Sequence, residues 1–205
     1  MSLNQHFDKV VVLTQKKRID RQYLFTQMAE EIGLSFKWFY AIEDENPKKS
    51  FNLSHKAILT QFTESNLNTL LVLEDDCDLR NLDKLDSIMR AAPEQWDLLY
   101  FGANLKPTPE FTPPEKENEH WYSITNAYCT HAIAYDKGVA GYIARNYDGE
   151  TMYDAWLDTK LSLMQAFCCS PFLAYQRPTR SDLWDRNVDY TDTFQASEDY
   201  LKTIP

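Results

Sequence analysis

Thr69-Leu70-Leu71-Val72-Leu73-Glu74-Asp75-Asp76 decides the fold. Its uninterrupted apolar run predicts a strand, and three acids end that strand abruptly. In open α/β sheets, ligands bind beyond the carboxyl ends of the strands, so these acids are expected at a binding edge. Extended geometry would send Glu74 and Asp76 to the same side. Two convergent carboxylates are hard oxygen ligands suited to Mg²⁺ or Mn²⁺, which also accept diphosphate oxygens. Three clustered negative charges repel one another unless a cation is near. A solvated turn or a helix cap is the plainer reading of the same acids, and both readings stay open here.

Outward from this strand, the chain alternates strand and helix. Val10-Val11-Val12-Leu13 reads as a strand buried on both faces. From about Asp20, Leu24, Phe25, Met28, Ala29 and Ile32 recur at helical spacing, and Gly33 supplies a stop. Ser35 to Ala41 reads as a second strand, Glu43 to Ser50 as a charged loop, and Asn52 to Glu64 as a helix. Leu82 to Ala92 looks helical, and Asp97 to Phe101 predicts a further strand closed by Gly102. The alternation predicts an α/β fold with a mainly parallel sheet covered by helices.

The second half is less regular. Lys106 to Asn118 holds four prolines and predicts a mobile loop. His120 to Thr125 and His131 to Tyr135 read as strands, Lys137 to Tyr147 and Tyr153 to Ala166 as helices. Cys168 to Tyr175 reads as a last strand before a polar tail from Gln176. One domain is expected over 1–205, with a nucleotide-binding half over about 1–103 and an acceptor half over about 104–205.

The composition narrows the function. The 205 residues suffice for one substantial α/β core. A net charge of −10, from 31 acidic against 21 basic residues, argues against nucleic acid as the main partner. It admits one anionic small molecule where a metal or a few cationic side chains neutralise it. Met1 to Lys9 lacks the apolar core of a signal peptide, and no apolar run nears the ~20 residues of a membrane helix. A cytoplasmic protein is expected, with peripheral contact as its membrane option. Cys77, Cys129, Cys168 and Cys169 show no zinc pairing and read as reduced, buried thiols. His6, His120 and His131 lack metal-ligand spacing, and none of the five glycines forms GxGxxG.

The order of short motifs resembles glycosyltransferase family 25. Val11-Val12-Leu13 with Arg21 resembles its first strand and arginine-bearing turn, and Phe39-Tyr40-Ala41 its second strand. Ser54-His55 resembles its Ser-His pair, and Glu74-Asp75-Asp76 its acidic signature. Trp96-Asp97-Leu98-Leu99-Tyr100-Phe101-Gly102 is similar to its next strand, Tyr153-Asp154-Ala155-Trp156-Leu157 to a later aspartate segment, and Gln176 with Ser181-Asp182 to its closing pattern.

This resemblance implies a GT-A-type fold and transfer of a sugar, galactose first, from a UDP-sugar to a hydroxyl of a glycan or lipooligosaccharide acceptor. Inversion at the anomeric carbon is implied as well. Asp76 would bind the metal, Mn²⁺ or Mg²⁺. Glu74 would touch metal or ribose, and Asp75 would support them. Asp154 would be the general base, with Asp158 one turn on as runner-up. Arg21, Ser54 and His55 would serve the donor, with Asp182 accessory to the site.

From the residues themselves, Trp156 and Trp184 are the better aromatic platforms for a sugar face. Arg18, Lys16 and Lys17 read as solvated loop charges, and Arg21 equally as a ligand of a phosphate or the uracil edge or as a surface residue. Two other functions compete. A binding module on the same fold would lack turnover. Asp76-Cys77-Asp78 resembles the DxD of a phosphatase, but Leu79-Arg80 follows where Thr or Val is needed.

Overall fold

The structure is a computed structural model that describes residues 3–105 and 112–205. Strand β1 (Lys9–Thr14) leads to helix α1 (Ile19–Glu31) and strand β2 (Lys37–Tyr40). Gly33, at φ 65°, ends α1 in the left-handed region that favours glycine. Helix α2 (Pro47–Thr63) precedes β3 (Thr69–Glu74), and a two-residue turn at Asp75 and Asp76 leads to β4 (Cys77–Leu79). Then come α3 (Leu85–Arg90), β5 (Leu98–Tyr100), β6 (Glu115–Lys116), β7 (Trp121–Ser123), β8 (Ala132–Asp136) and α4 (Lys137–Asn146). Helix α5 (Tyr153–Leu161), β9 (Ala166–Cys169), β10 (Ala174–Gln176), β11 (Thr179–Ser181), β12 (Arg186–Val188) and α6 (Thr191–Thr203) complete the chain.

The main sheet has the order β2-β1-β3-β8-β5-β9-β7-β6. Strands β2, β1, β3, β5 and β9 point one way, while β8 and β7 are reversed. The sheet is thus mainly parallel and covered by helices, as expected. Alternation along β3 explains its continuous apolar run. Leu70 and Val72 enter a core beneath α2, α4, α5 and α6, while Leu71 and Leu73 enter a second core beneath α1 and α3. No described helix is long and apolar enough to cross a membrane.

Several elements differ from the sequence reading. Helix α2 starts within the expected charged loop. Asn46 accepts a hydrogen bond from Lys48 N, and Pro47 occupies the first turn, where its missing N–H costs nothing. Helix α5 stops at Leu161, where Leu163 N donates to Lys160 O and Met164 N to Leu161 O in a turn that leads to β9. The expected strand from Cys168 to Tyr175 is two strands, β9 and β10, separated by a cis Ser170–Pro171 bond. The polar tail is the β11–β12 hairpin and α6, whose Phe194 and Leu201 are buried in the core. Of the expected mobile loop from Lys106 to Asn118, residues 106–111 lie outside the described residues. Glu115 and Lys116 within it pair with β7.

Candidate functional site

Parallel strands present their carboxyl ends at one sheet edge, and a cleft opens there. Leu13 lies in register with Glu74, and Asp75 N donates to Leu13 O at 3.0 Å. This brings Thr14 beside the acids. Because β8 runs antiparallel between β3 and β5, its start falls at the same edge. Glu74 N donates to His131 O at 2.9 Å, and the preceding Thr130 reaches the Glu74 side chain. Strand β10 pairs with β4, with Gln176 opposite Cys77, so Gln176 stands beside Asp76. The β11–β12 hairpin and the start of α5 supply the far walls.

The chain turns directly after Glu74, so the extended alternation expected for residues 74 to 76 does not hold. Asp75 and Asp76 instead share one cation. Arg21 Nη1 lies 2.9 Å from Asp75 Oδ1 and 3.0 Å from Asp76 Oδ2, and its Nη2 donates to Arg180 O at 2.8 Å. Thr14 Oγ1 also donates to Asp75 Oδ2 at 2.6 Å. Glu74 points elsewhere. Its Oε1 accepts from Thr130 Oγ1 at 2.7 Å and lies 3.7 Å from His55 Nε2, beyond a hydrogen bond.

Burial pushes the Asp76 carboxyl up to about 7. Arg21 opposes this shift, and the negative charges of Glu74 and Asp75 add to it. Asp75 is raised by burial too, against Arg21 and Thr14. For Glu74, burial is outweighed by His55 and Thr130, which hold its carboxyl below the usual value.

Asp154 lies in the cleft lining, on the first turn of α5. Burial raises its pKa, the Ala155 amide opposes this, and Glu74 adds repulsion. Asp158 is outside the lining. It is buried, and its Oδ1 accepts from Ala127 N at 2.9 Å. Ser54 and His55 are buried below the cleft floor and are absent from its lining. Ser54 Oγ accepts from Ile42 N and donates to Ser50 O. The His55 ring stacks on Tyr153 at 4.6 Å. Trp156 packs against Tyr147 in the core, whereas Trp184 lines the cleft at 48% exposure with Lys48 Nζ 4.8 Å from its ring centre.

Arg18 corrects the sequence reading. It is buried, with Nε and Nη2 donating to Asp20, and Nη1 to Asp182 Oδ2 at 2.7 Å and Arg180 O at 3.0 Å. It clamps the loop after β1 to the hairpin. Lys17 adds a 2.7 Å ion pair to Asp182, while Lys16 meets Glu43 at the surface. Thr14 and Thr130 were missed because no local pattern announces that distant strands bring them to the acids.

Among the described residues, no group of three or more His, Cys, Asp or Glu side chains forms a metal centre. Asp76, which lines the cleft, and the amide of Gln176 beside it are of the oxygen-ligand type that a divalent cation takes. Gln176 lines the cleft, and its Oε1 is buried with no hydrogen-bond partner. Its Nε2 makes a 3.4 Å contact with Asp76 Oδ1. One or two carboxylates with substrate phosphates and water are an ordinary Mg²⁺ set, without a protein cage.

No protein-family model matches the chain, and no curated protein does. Among solved structures, A197 from STIV aligns over 88% of this chain and 93% of its own, with TM-score 0.52 and 11% identity. A glycosyltransferase involved in glycosylation of the major capsid of PBCV-1 aligns over 68% and 67%, with TM-score 0.41 and 13% identity. A Drosophila beta-1,4-galactosyltransferase 7, in complex with manganese, UDP-Gal and xylobiose, aligns over 88% and 74%, with TM-score 0.47 and 9% identity. At 11% identity, the match to A197 is a likeness of fold alone. The fold itself is α/β, with a mainly parallel central sheet covered by helices.

Proposed function

We propose that the cleft binds a UDP-sugar and that the chain is a glycosyltransferase. The observation that carries this reading is the acidic pair Asp75 and Asp76 at the carboxyl edge of β3, faced across one cleft by Asp154. The motif order resembling glycosyltransferase family 25 supports a hexose donor, galactose first. It also supports a glycan or lipooligosaccharide hydroxyl as acceptor, with inversion.

Asp76 and Gln176 would hold Mn²⁺ or Mg²⁺, and Asp75, fixed by Thr14 and Arg21, would support Asp76. When bound, the metal supplies Lewis-acid stabilisation of the diphosphate leaving group. Glu74, committed to Thr130, sets the field on the α5 side of the cleft. Asp154 takes the proton of the acceptor hydroxyl. Burial raises its basicity, which suits a carboxylate to that task. Trp184 offers an apolar face to a sugar ring. Asp182 holds the hairpin through Lys17 and Arg18.

Calorimetry with UDP in the presence and absence of Mn²⁺ tests the reading. Wild type should bind UDP with metal, and Asp76→Asn should lose the metal-dependent part. Equal metal-dependent affinity in both proteins would remove Asp76 from the site.

A further inference from the structure

We propose that Arg21 is a built-in counter-cation that must release Asp76 before a divalent metal can take it, so that metal binds well only together with the nucleotide. This rests on the reading of the cleft as a nucleotide-sugar site. A single nitrogen, Nη1, serves both carboxylates, at 2.9 and 3.0 Å. The two acids are not equally dependent on it. Asp75 also has the 2.6 Å hydrogen bond from Thr14, whereas Asp76 has only the long 3.4 Å contact from Gln176. A small movement of the guanidinium would therefore free Asp76 while Asp75 stays satisfied.

The guanidinium is itself incompletely satisfied. Its side chain is only 13% exposed, and its Nε is buried with no hydrogen-bond partner. A buried donor without an acceptor is costly, and an incoming anion would relieve it. A bare divalent cation at Asp76 would face the fixed positive charge of Arg21 at short range and be repelled. A diphosphate arriving with the cation reverses the balance, because it gives Arg21 a new anionic partner as Asp76 is surrendered. The carbonyl of Arg180, which accepts from Nη2 at 2.8 Å, keeps the side chain tethered at the rim during that exchange.

Mn²⁺ titrations followed by electron paramagnetic resonance, with and without UDP, test the proposal on the whole chain. The proteins are wild type, Arg21→Met, Arg21→Gln and Arg21→Lys, with folding checked by thermal melting. Wild type should bind Mn²⁺ weakly alone and much more tightly with UDP. The two neutral variants should bind Mn²⁺ alone about tenfold more tightly than wild type or better, with the gain from UDP reduced. Arg21→Lys keeps the charge and should behave as wild type, and it remains informative should a neutral variant fail to fold. Addition of Asp76→Asn to Arg21→Gln should abolish the gain.

Neutral variants that bind Mn²⁺ no more tightly than wild type would overturn the proposal, as would Arg21→Lys matching them. UDP binding by wild type that ignores Mn²⁺ would overturn the coupling and leave the nucleotide site standing. Failure of wild type to bind UDP under any condition would overturn the functional reading and this proposal with it.

Discussion

Asp154 and Asp158 stand one turn apart on α5 and meet opposite surroundings. Asp154 faces the cleft, where burial and Glu74 raise its proton affinity. Asp158 faces inward and accepts from the Ala127 amide. Asp154→Asn should leave UDP binding unchanged in calorimetry while donor hydrolysis or sugar transfer falls by about 10²–10⁴-fold. Asp158→Asn keeps an oxygen for the amide and should retain turnover. Asp158→Ala leaves a buried N–H unpaired and should cost about 1–3 kcal/mol in urea unfolding. Near-normal turnover in Asp154→Asn would send the search for the base elsewhere in the cleft.

At the scale of elements, the site depends on how closely β10 follows the end of β5. Leu173 N and Ala174 N both donate to Phe101 O. A Cβ at Gly102 would run into the Ala174 carbonyl oxygen, a backbone atom with little room to give. Gly102 thus permits the approach that carries Gln176 to Asp76. Gly102→Ala should lower the urea midpoint by the equivalent of about 1–3 kcal/mol, the usual cost of overpacking. UDP affinity should fall with it, because β10 must shift. An unchanged midpoint would mean that β10 is not held where the hydrogen bonds put it.

Across the whole molecule, Arg18 ties the loop after β1 to a hairpin more than 150 residues later in sequence. Its hydrogen bonds hold the Asp20 carboxyl at about 2, against an ordinary 3.8. Asp182 is lowered too, since Lys17 and Arg18 outweigh its burial. A depressed folded pKa means that the unfolded chain binds more protons, so stability rises with pH through this window. The contribution is full above about pH 4 and lost as pH falls towards about 2. Urea midpoints of wild type and Arg18→Met should therefore differ at pH 7 and converge between pH 4 and 2. The gap should be modest, because Asp20 is largely exposed and its ion pair is screened. A gap that stays constant down to pH 2 would show that Arg18 acts through packing alone.

The sequence by itself determined the features that local periodicity encodes. The apolar run of β3 and its acidic end, the helical spacing in α1 and the order of alternating elements were legible because each is written within a few neighbouring residues. Pro47 shows the limit, since one proline suits a loop and a helix start equally well. Only the tertiary structure decided which charges meet. Arg18 has the local surroundings of a surface residue and is buried by a hairpin formed far along the chain. Glu74 turns to Thr130 because β8 inserts between β3 and β5, and the turn after β3 gives Asp75 and Asp76 to Arg21 rather than to opposite faces. The cause is physical. Strand order and long-range register come from burying two faces of one sheet at once, and no local spacing carries that information.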